Sequence, residues 1–373
     1  MQTTSRIYSV QALRAVAACL VVVFHARAFA FTYQQKYGLE TALLCDFETL
    51  NALGGFGVDL FFVISGFVMT YITWNEPRSS SAIWPFLKRR LVRIMPIYWL
   101  YTLFLVALGL ALPRLFTQTI DIATVILSLL LIPYTPVGAN PAPILAVGWT
   151  LSFEMYFYGL VALGLLFPRR PFIIGMGIYF IACVTASFFY EFSSPIISLA
   201  TNTLILEFYF GVLIAVAYMR YGKIDEKIGL CGLVVAIPTL ALVTYFNAPF
   251  HLRGIIWGVP AAGFVCWFIS REQKNMFMRK AIWQKLGASS YTIYLTHCIL
   301  LAALGRFGYS LGLMPRIPTD FYIILTSAIC IAIGHGLFLT VEQPLGRFVS
   351  SIFGRRKAKG IYSPALNATD SKS

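Results

Sequence analysis

The sequence predicts an all-α polytopic membrane protein: about ten transmembrane helices, one short re-entrant or interfacial segment, and both termini cytoplasmic. Three observations carry that expectation. Of 373 residues, 58% are hydrophobic and only 12% charged, whereas soluble domains carry about a quarter. Apolar runs of about twenty residues, the length that crosses the hydrocarbon core, recur along the chain. The basic residues between them fall in alternate loops, as the positive-inside rule requires.

The runs fall at Tyr8–Phe31, Gly54–Thr73, Leu91–Leu112, Val147–Phe167, Phe172–Tyr190 and Ile196–Met219, then at Gly229–Phe246, Leu252–Ser270, Ser289–Tyr309 and Asp320–Thr340. An eleventh, Ile122–Pro136, is shorter and leads into a Pro-rich stretch, PYTPVGANPAP. With a cytoplasmic N-terminus and no crossing at that short run, 22 Lys and Arg lie inside against 5 outside. A crossing there would invert every later basic loop, so the run is expected not to span. The integral-membrane domain is expected over 1–347, and the polar 348–373 as a disordered cytoplasmic tail.

The net charge of +14 would suggest nucleic acid in a soluble protein, but here cytoplasmic loops account for it. Six of the seven cysteines sit inside apolar runs, where they act as small hydrophobes. Cys45 is the exception, in an expected loop, so a disulfide has no evident second partner. Neither C-x-x-C nor H-E-x-x-H spacing occurs, and no metal is expected.

The first run carries the most pointed chemistry. Arg14 and His25 are eleven residues apart, which in a helix places them on one face about 16 Å apart along the axis. A cleavable signal would read Arg6 as the n-region, Ala15–Phe24 as the h-region and Ala26-Arg27-Ala28 as the cleavage site. The further spans make a removable signal unnecessary. Asp59 and Glu154 are expected near the height of His25, and Glu207 near the midplane. Arg14, His297 and His335 belong to the inner half, and Arg90, Arg93 and Glu342 to the inner rim. Intramembrane charges cost several kcal/mol when they face lipid, so the helices should enclose a polar cavity. A His-plus-carboxylate tier above a basic tier suits transfer of a group from an anionic cytosolic donor. A proton-coupled transporter or a lipid-linked-sugar flippase uses the same ingredients, and residue chemistry leaves both open.

An ordered set of motifs resembles the family-3 membrane acyltransferases from about Tyr8 to Arg347. It comprises R-x10-H (Arg14, His25), GVDLFFVISGF with Asp59, RRLVRIMPIYW with Arg90, Arg93 and Pro96, and WTLSFE with Trp149 and Glu154. EFYFG with Glu207, SYTIYLTH with Ser290, Tyr291 and His297, and the closing EQP at Glu342 complete it. Within the family, the opening YSVQALRAVAACLVVVFHA is most similar to exopolysaccharide-production acetyltransferases.

The resemblance implies ten helices in a bacterial inner membrane, no permanently bound cofactor, and acetyl-CoA or another acyl-CoA as co-substrate. It also implies a polysaccharide or lipid-linked oligosaccharide acceptor, with polysaccharide-assembly proteins and membrane lipids as partners. Arg14 and His25 match the family's essential pair. The expected roles follow: Arg14, Arg90, Arg93 and His297 bind the donor, and His25 is the general base, with Asp59 or Glu154 orienting its ring. Trp149, Glu207, Ser290, Tyr291 and Glu342 support them. Some relatives carry a further soluble domain, for which this sequence has no counterpart.

Overall fold

Large apolar side chains are exposed over much of the outside of this molecule, while Arg27, Asp59, Glu207 and Glu342 are buried, the reverse of a water-soluble domain. The computed structural model describes residues 7–37, 48–113, 120–134, 143–245, 252–272, 274, 276–312 and 317–353. Among these it is helical, with no strand. Cys45, residues 135–142 of the Pro-rich stretch and the tail from 354 onward lie outside the described residues.

Chain order runs through α1 (Tyr8–Tyr37), α2 (Glu48–Thr73), α3 (Ser80–Ala111), α4 (Ile122–Leu129) and α5 (Trp149–Gly164). Next come α6 (Arg169–Phe189), α7 (Pro195–Thr201), α8 (Ile205–Tyr221), α9 (Glu226–Tyr245), α10 (Arg253–Ile256) and α11 (Gly258–Ser270). The long α12 (Ala281–Ser310) and α13 (Thr319–Leu337) lead through a π-helical turn at Phe338–Glu342 into α14 (Gln343–Phe353). Nine helical stretches among the described residues are long and apolar enough to cross a membrane. The 20-residue α9 adds a further helix of crossing length. Helix α4 has eight residues, about 12 Å of rise, too short to cross a core of about 30 Å. Asp121 caps it, accepting from the Thr124 N–H at 2.7 Å, which holds that carboxyl below the usual carboxylate range.

Three expected spans are altered in ways that matter. Helix α3 begins at Ser80 rather than near Leu91, so Lys88, Arg89, Arg90 and Arg93 are carried on the helix rather than in a loop before it. The expected spans at 196–219 and 252–270 are each broken, between α7 and α8 and between α10 and α11. The break between α7 and α8 meets the first turn of α10, where the Gly254 N–H donates to Thr203 Oγ1 at 3.1 Å. A side chain at Gly254 would strike the Thr203 backbone. Non-helical backbone at membrane depth survives where protein encloses it, and this junction is enclosed.

The core is a tight helix stack. Helix α1 packs along α12 and α2, and α2 crosses α8. At that crossing Gly66 abuts Phe208 backbone and Gly211 abuts Val63 backbone, the close approach that small residues permit between membrane helices. On α6, Ile174, Ile178 and Ile181 line one outward stripe at helical spacing. Basic inter-helix loops gather at one end of the bundle. Arg169 donates to the Trp74 carbonyl and lies over the Trp74 ring, and Arg78 reaches the Gly164 carbonyl at 3.3 Å. There too, Glu272 accepts from the Tyr8 and Ser9 N–H groups at 2.8 and 2.7 Å, satisfying two free donors at the start of α1.

Candidate active site

Five helices converge on a cavity of about 100 Å³. Arg14 enters from α1, Phe61, Phe62 and Ser65 from α2, and Arg93 from α3. Helix α5 contributes Thr150, Glu154 and Tyr158, and α12 contributes Ser290, Tyr291 and Tyr294. Each polar residue is turned inward by the face it shares with its neighbours. Glu154 and Tyr158 are one turn apart on α5, and the Tyr158 hydroxyl donates to Glu154 Oε2 at 2.7 Å. Tyr291 donates to the Ile94 carbonyl at 2.9 Å, fixing α12 against α3.

The cavity is basic and incompletely satisfied. Arg14 lies within electrostatic reach of Arg93, Glu154 and Glu342, and Arg90 within reach of Arg93, Tyr158 and Glu154. Glu342 is carried by the π-helical turn, a widened turn often found at functional sites, and it accepts from Thr292. Three guanidinium groups therefore face two carboxylates. Arg90 Nε and Ser290 Oγ are buried with no hydrogen-bond partner among the described residues. Buried polar atoms of that kind call for an explanation, and an anionic, hydrogen-bonding ligand supplies one.

His25 stands apart from this cavity, further along the same face of α1. Its partner is His297 of α12: His297 Nε2 is 3.2 Å from His25 Nδ1, and the ring centroids are 4.7 Å apart. The hydrogen bonds assign the tautomers. His297 Nδ1 is 2.6 Å from the Tyr294 carbonyl, and His25 Nδ1 is 2.9 Å from the Val21 carbonyl. A carbonyl only accepts, so both Nδ1 atoms carry hydrogen and both neutral rings keep their lone pair on Nε2. The one hydrogen on His25 Nδ1 is then shared between the Val21 carbonyl and His297 Nε2, and His25 Nε2 is left unprotonated. Cys298 Sγ lies 3.3 Å from His297 Nε2. Tyr294 stands between cavity and histidines, its ring 5.7 Å from that of His297 and its hydroxyl 2.8 Å from Thr150 Oγ1 and 3.2 Å from the Val147 carbonyl.

Several expected placements are corrected. Asp59 does not orient His25. It is fully buried and gripped by Arg253, whose Nε and Nη2 donate to its two carboxylate oxygens at 3.0 Å each. Arg253 Nη2 also donates to the Gly55 carbonyl at 2.7 Å, and Glu207 is buried beside the pair. Glu154 does not orient His25 either; it belongs to the basic cavity, where Tyr158 and the arginines hold it. His297 sits with His25 rather than among the donor-side arginines. Trp149 packs edge-on against Phe62 and Phe153, and His335 contacts Ser289 at 3.1 Å. The two-tier picture therefore changes: both carboxylates leave the histidine, and a second histidine takes their place.

Arg253 was missed by sequence reasoning, which counts it as an outer-loop charge. The signal was available, since it is one arginine flanked by apolar LRGIIWGVP, with no neighbouring charge to make a solvated loop.

A family model described as "Acyltransferase domain" matches residues 7–335, and the chain belongs to that family, the membrane acyltransferases of family 3. The chain is 31% identical over 300 residues to the exopolysaccharide production protein ExoZ of Rhizobium meliloti (strain 1021), covering 79% of this chain and 90% of that protein. No solved structure matches it. The chain is thus a multi-pass membrane acyltransferase similar to a protein of exopolysaccharide production.

Proposed function

We propose that this protein is an acetyl-CoA-dependent O-acetyltransferase of a bacterial inner membrane, acting on a hydroxyl of an exopolysaccharide or its lipid-linked precursor. By the positive-inside rule, the basic loops at one end of the bundle support a reading with that end and both termini in the cytoplasm and α4 as a re-entrant or interfacial segment. Acetyl-CoA enters there, its phosphates held by Arg14, Arg93 and Arg90, since guanidinium groups bind phosphate bidentately. Ser290 meets a polar atom of the pantetheine arm, and the thioester extends past Tyr294 towards His25.

At the reacting centre His25 Nε2 takes the proton from the acceptor hydroxyl as that oxygen attacks the thioester carbonyl. The C–O bond forms, the C–S bond breaks, and the departing thiolate takes the proton back from the imidazolium as CoA thiol. His297 is the positioning residue. It accepts from His25 Nδ1–H and so keeps the basic lone pair on Nε2, as an orienting partner does in other acyl-transfer sites. Membrane lipids and polysaccharide-assembly proteins are its expected surroundings, and no permanently bound cofactor takes part in the direct transfer.

The single observation that carries the proposal is the shared line of α1 and α12. It runs from an under-neutralised arginine cavity at Arg14 to a histidine whose tautomer is fixed with Nε2 free. Purified protein in liposomes, given labelled acetyl-CoA and a polysaccharide acceptor, is expected to release CoA only when the acceptor is present. Acceptor movement across the bilayer without thioester cleavage would point instead to a flippase.

A further inference from the structure

His25, His297 and Cys298 bring three metal-ligating atoms within 4.8 Å of one another. We propose that they form a binding site for a borderline-soft divalent cation, Zn2+ foremost, and that its occupation reversibly stops acyl transfer. The binding half stands on this geometry alone, whereas the inhibitory half rests on His25 being the base.

The separations suit such an ion. Zn2+ bonds at about 2.0–2.1 Å to imidazole nitrogen and about 2.3 Å to thiolate sulfur, which sets neighbouring donors in a tetrahedral shell about 3.3–3.6 Å apart. His297 Nε2 lies 3.2 Å from His25 Nδ1 and 3.3 Å from Cys298 Sγ. The third separation, between His25 and Cys298, is within 4.8 Å and closes as the side chains draw onto the ion. The donor set of two imidazoles and one thiol is the type Zn2+ prefers over hard cations. Orientation is built in as well. The His297 Nδ1–H bond to the Tyr294 carbonyl aims the Nε2 lone pair into the cluster, as carbonyl partners do for metal-bound histidines. Three protein ligands leave a fourth position for water, the arrangement of an open zinc site.

Occupation disarms the base by moving one proton. Metal bonding at His25 Nδ1 requires that atom to give up its hydrogen and its bond to Val21. The neutral ring then carries the hydrogen on Nε2, where the lone pair needed for the acceptor hydroxyl had been. Cys298 releases its thiol proton to solvent and binds as thiolate. Removing the ion reverses both changes.

The experiment uses Co2+ as a spectroscopic substitute and Zn2+ as inhibitor, on the full chain purified in detergent. Titration should show one Co2+ per chain with a thiolate-to-Co2+ charge-transfer band in the near ultraviolet, displaced by Zn2+. Cys298→Ser should lose the band while keeping its size-exclusion profile and basal transfer, and Cys266→Ser, on another helix, should keep the band. In acyl transfer, Cys298→Ser should raise the half-inhibiting Zn2+ concentration by about tenfold or more, the scale on which weakening a site's ligation acts. A wild-type protein without the band, or a band that survives in Cys298→Ser, would overturn the site. Full transfer at saturating Zn2+ would overturn the inhibition. Because the Co2+ titration needs no turnover, a protein that binds the ion but transfers nothing would count against the proposed function and not against the site.

Discussion

Two buried charged clusters in this molecule share residue types and differ in how their charges are satisfied. Around Asp59 the ion pair itself is closed, although Glu207 beside it keeps both carboxylate oxygens buried with no hydrogen-bond partner among the described residues. Arg253 grips both carboxylate oxygens of Asp59 and a backbone carbonyl, and next to it in the chain Gly254 ties α10 to the break between α7 and α8. Around Arg14 the balance is open, with more guanidinium than carboxylate, a cavity, and buried polar atoms that lack partners. A closed ion pair mainly holds architecture, because each charge already answers the other. An open cluster has that capacity. Burial of charge is thus a poor guide to function until the partners are counted.

The largest expected effect lies on the line that leaves the open cluster. His25→Ala should lower acceptor-dependent transfer by about 10²–10⁴-fold, the span of general-base catalysis, with no loss of thermal stability in detergent. A comparable fall in melting temperature would make His25 a packing residue. At the closed cluster the outcome should be reversed. Arg253→Ala strands Asp59 as an uncompensated buried charge and should destabilise the protein by about 3–5 kcal/mol. The double variant Asp59→Asn with Arg253→Met should recover most of that, read as unfolding temperature of the purified protein. If Arg253→Ala instead left stability intact and abolished transfer, the contrast between the two clusters would fail.

Legibility of these features in the sequence follows the range of the interactions. Helix positions are local, set by runs of apolar residues, and the structure carries a helix at each of the ten expected runs. The Arg14–His25 face is equally local, since eleven residues along one helix fix it. What the sequence hides is pairing between helices. His25 and His297 are 272 residues apart, and Asp59 and Arg253 are 194 apart. Depth alone matched Asp59 with His25, because depth says nothing about which neighbour a helix face meets. The breaks at Thr203 and Trp257 were hidden for another reason: apolar runs read as continuous helix until tertiary contacts satisfy the interrupted backbone.

Smaller effects sharpen the open cluster. Arg14→Ala and Arg93→Ala each remove a charge-assisted contact of about 1.5–3 kcal/mol, so the KM for acetyl-CoA should rise roughly 10- to 100-fold with kcat less affected. Tyr158→Phe removes the hydroxyl that donates to Glu154 and should cost about 1 kcal/mol, measured as a modest rise in KM with unchanged melting temperature. A Tyr158→Phe effect larger than that of Arg14→Ala would make Glu154, rather than the arginines, the main donor contact.

Equilibrium binding of acetyl-CoA, measured by calorimetry on purified wild type, Arg14→Ala and His25→Ala, tests the central division most directly. Arg14→Ala should weaken binding by at least tenfold, on the same charge-assisted scale, while His25→Ala binds as wild type and transfers about 10²–10⁴-fold more slowly. Weak binding in His25→Ala beside normal binding in Arg14→Ala would contradict the assignment of the donor grip to one end of the helix and the base to the other.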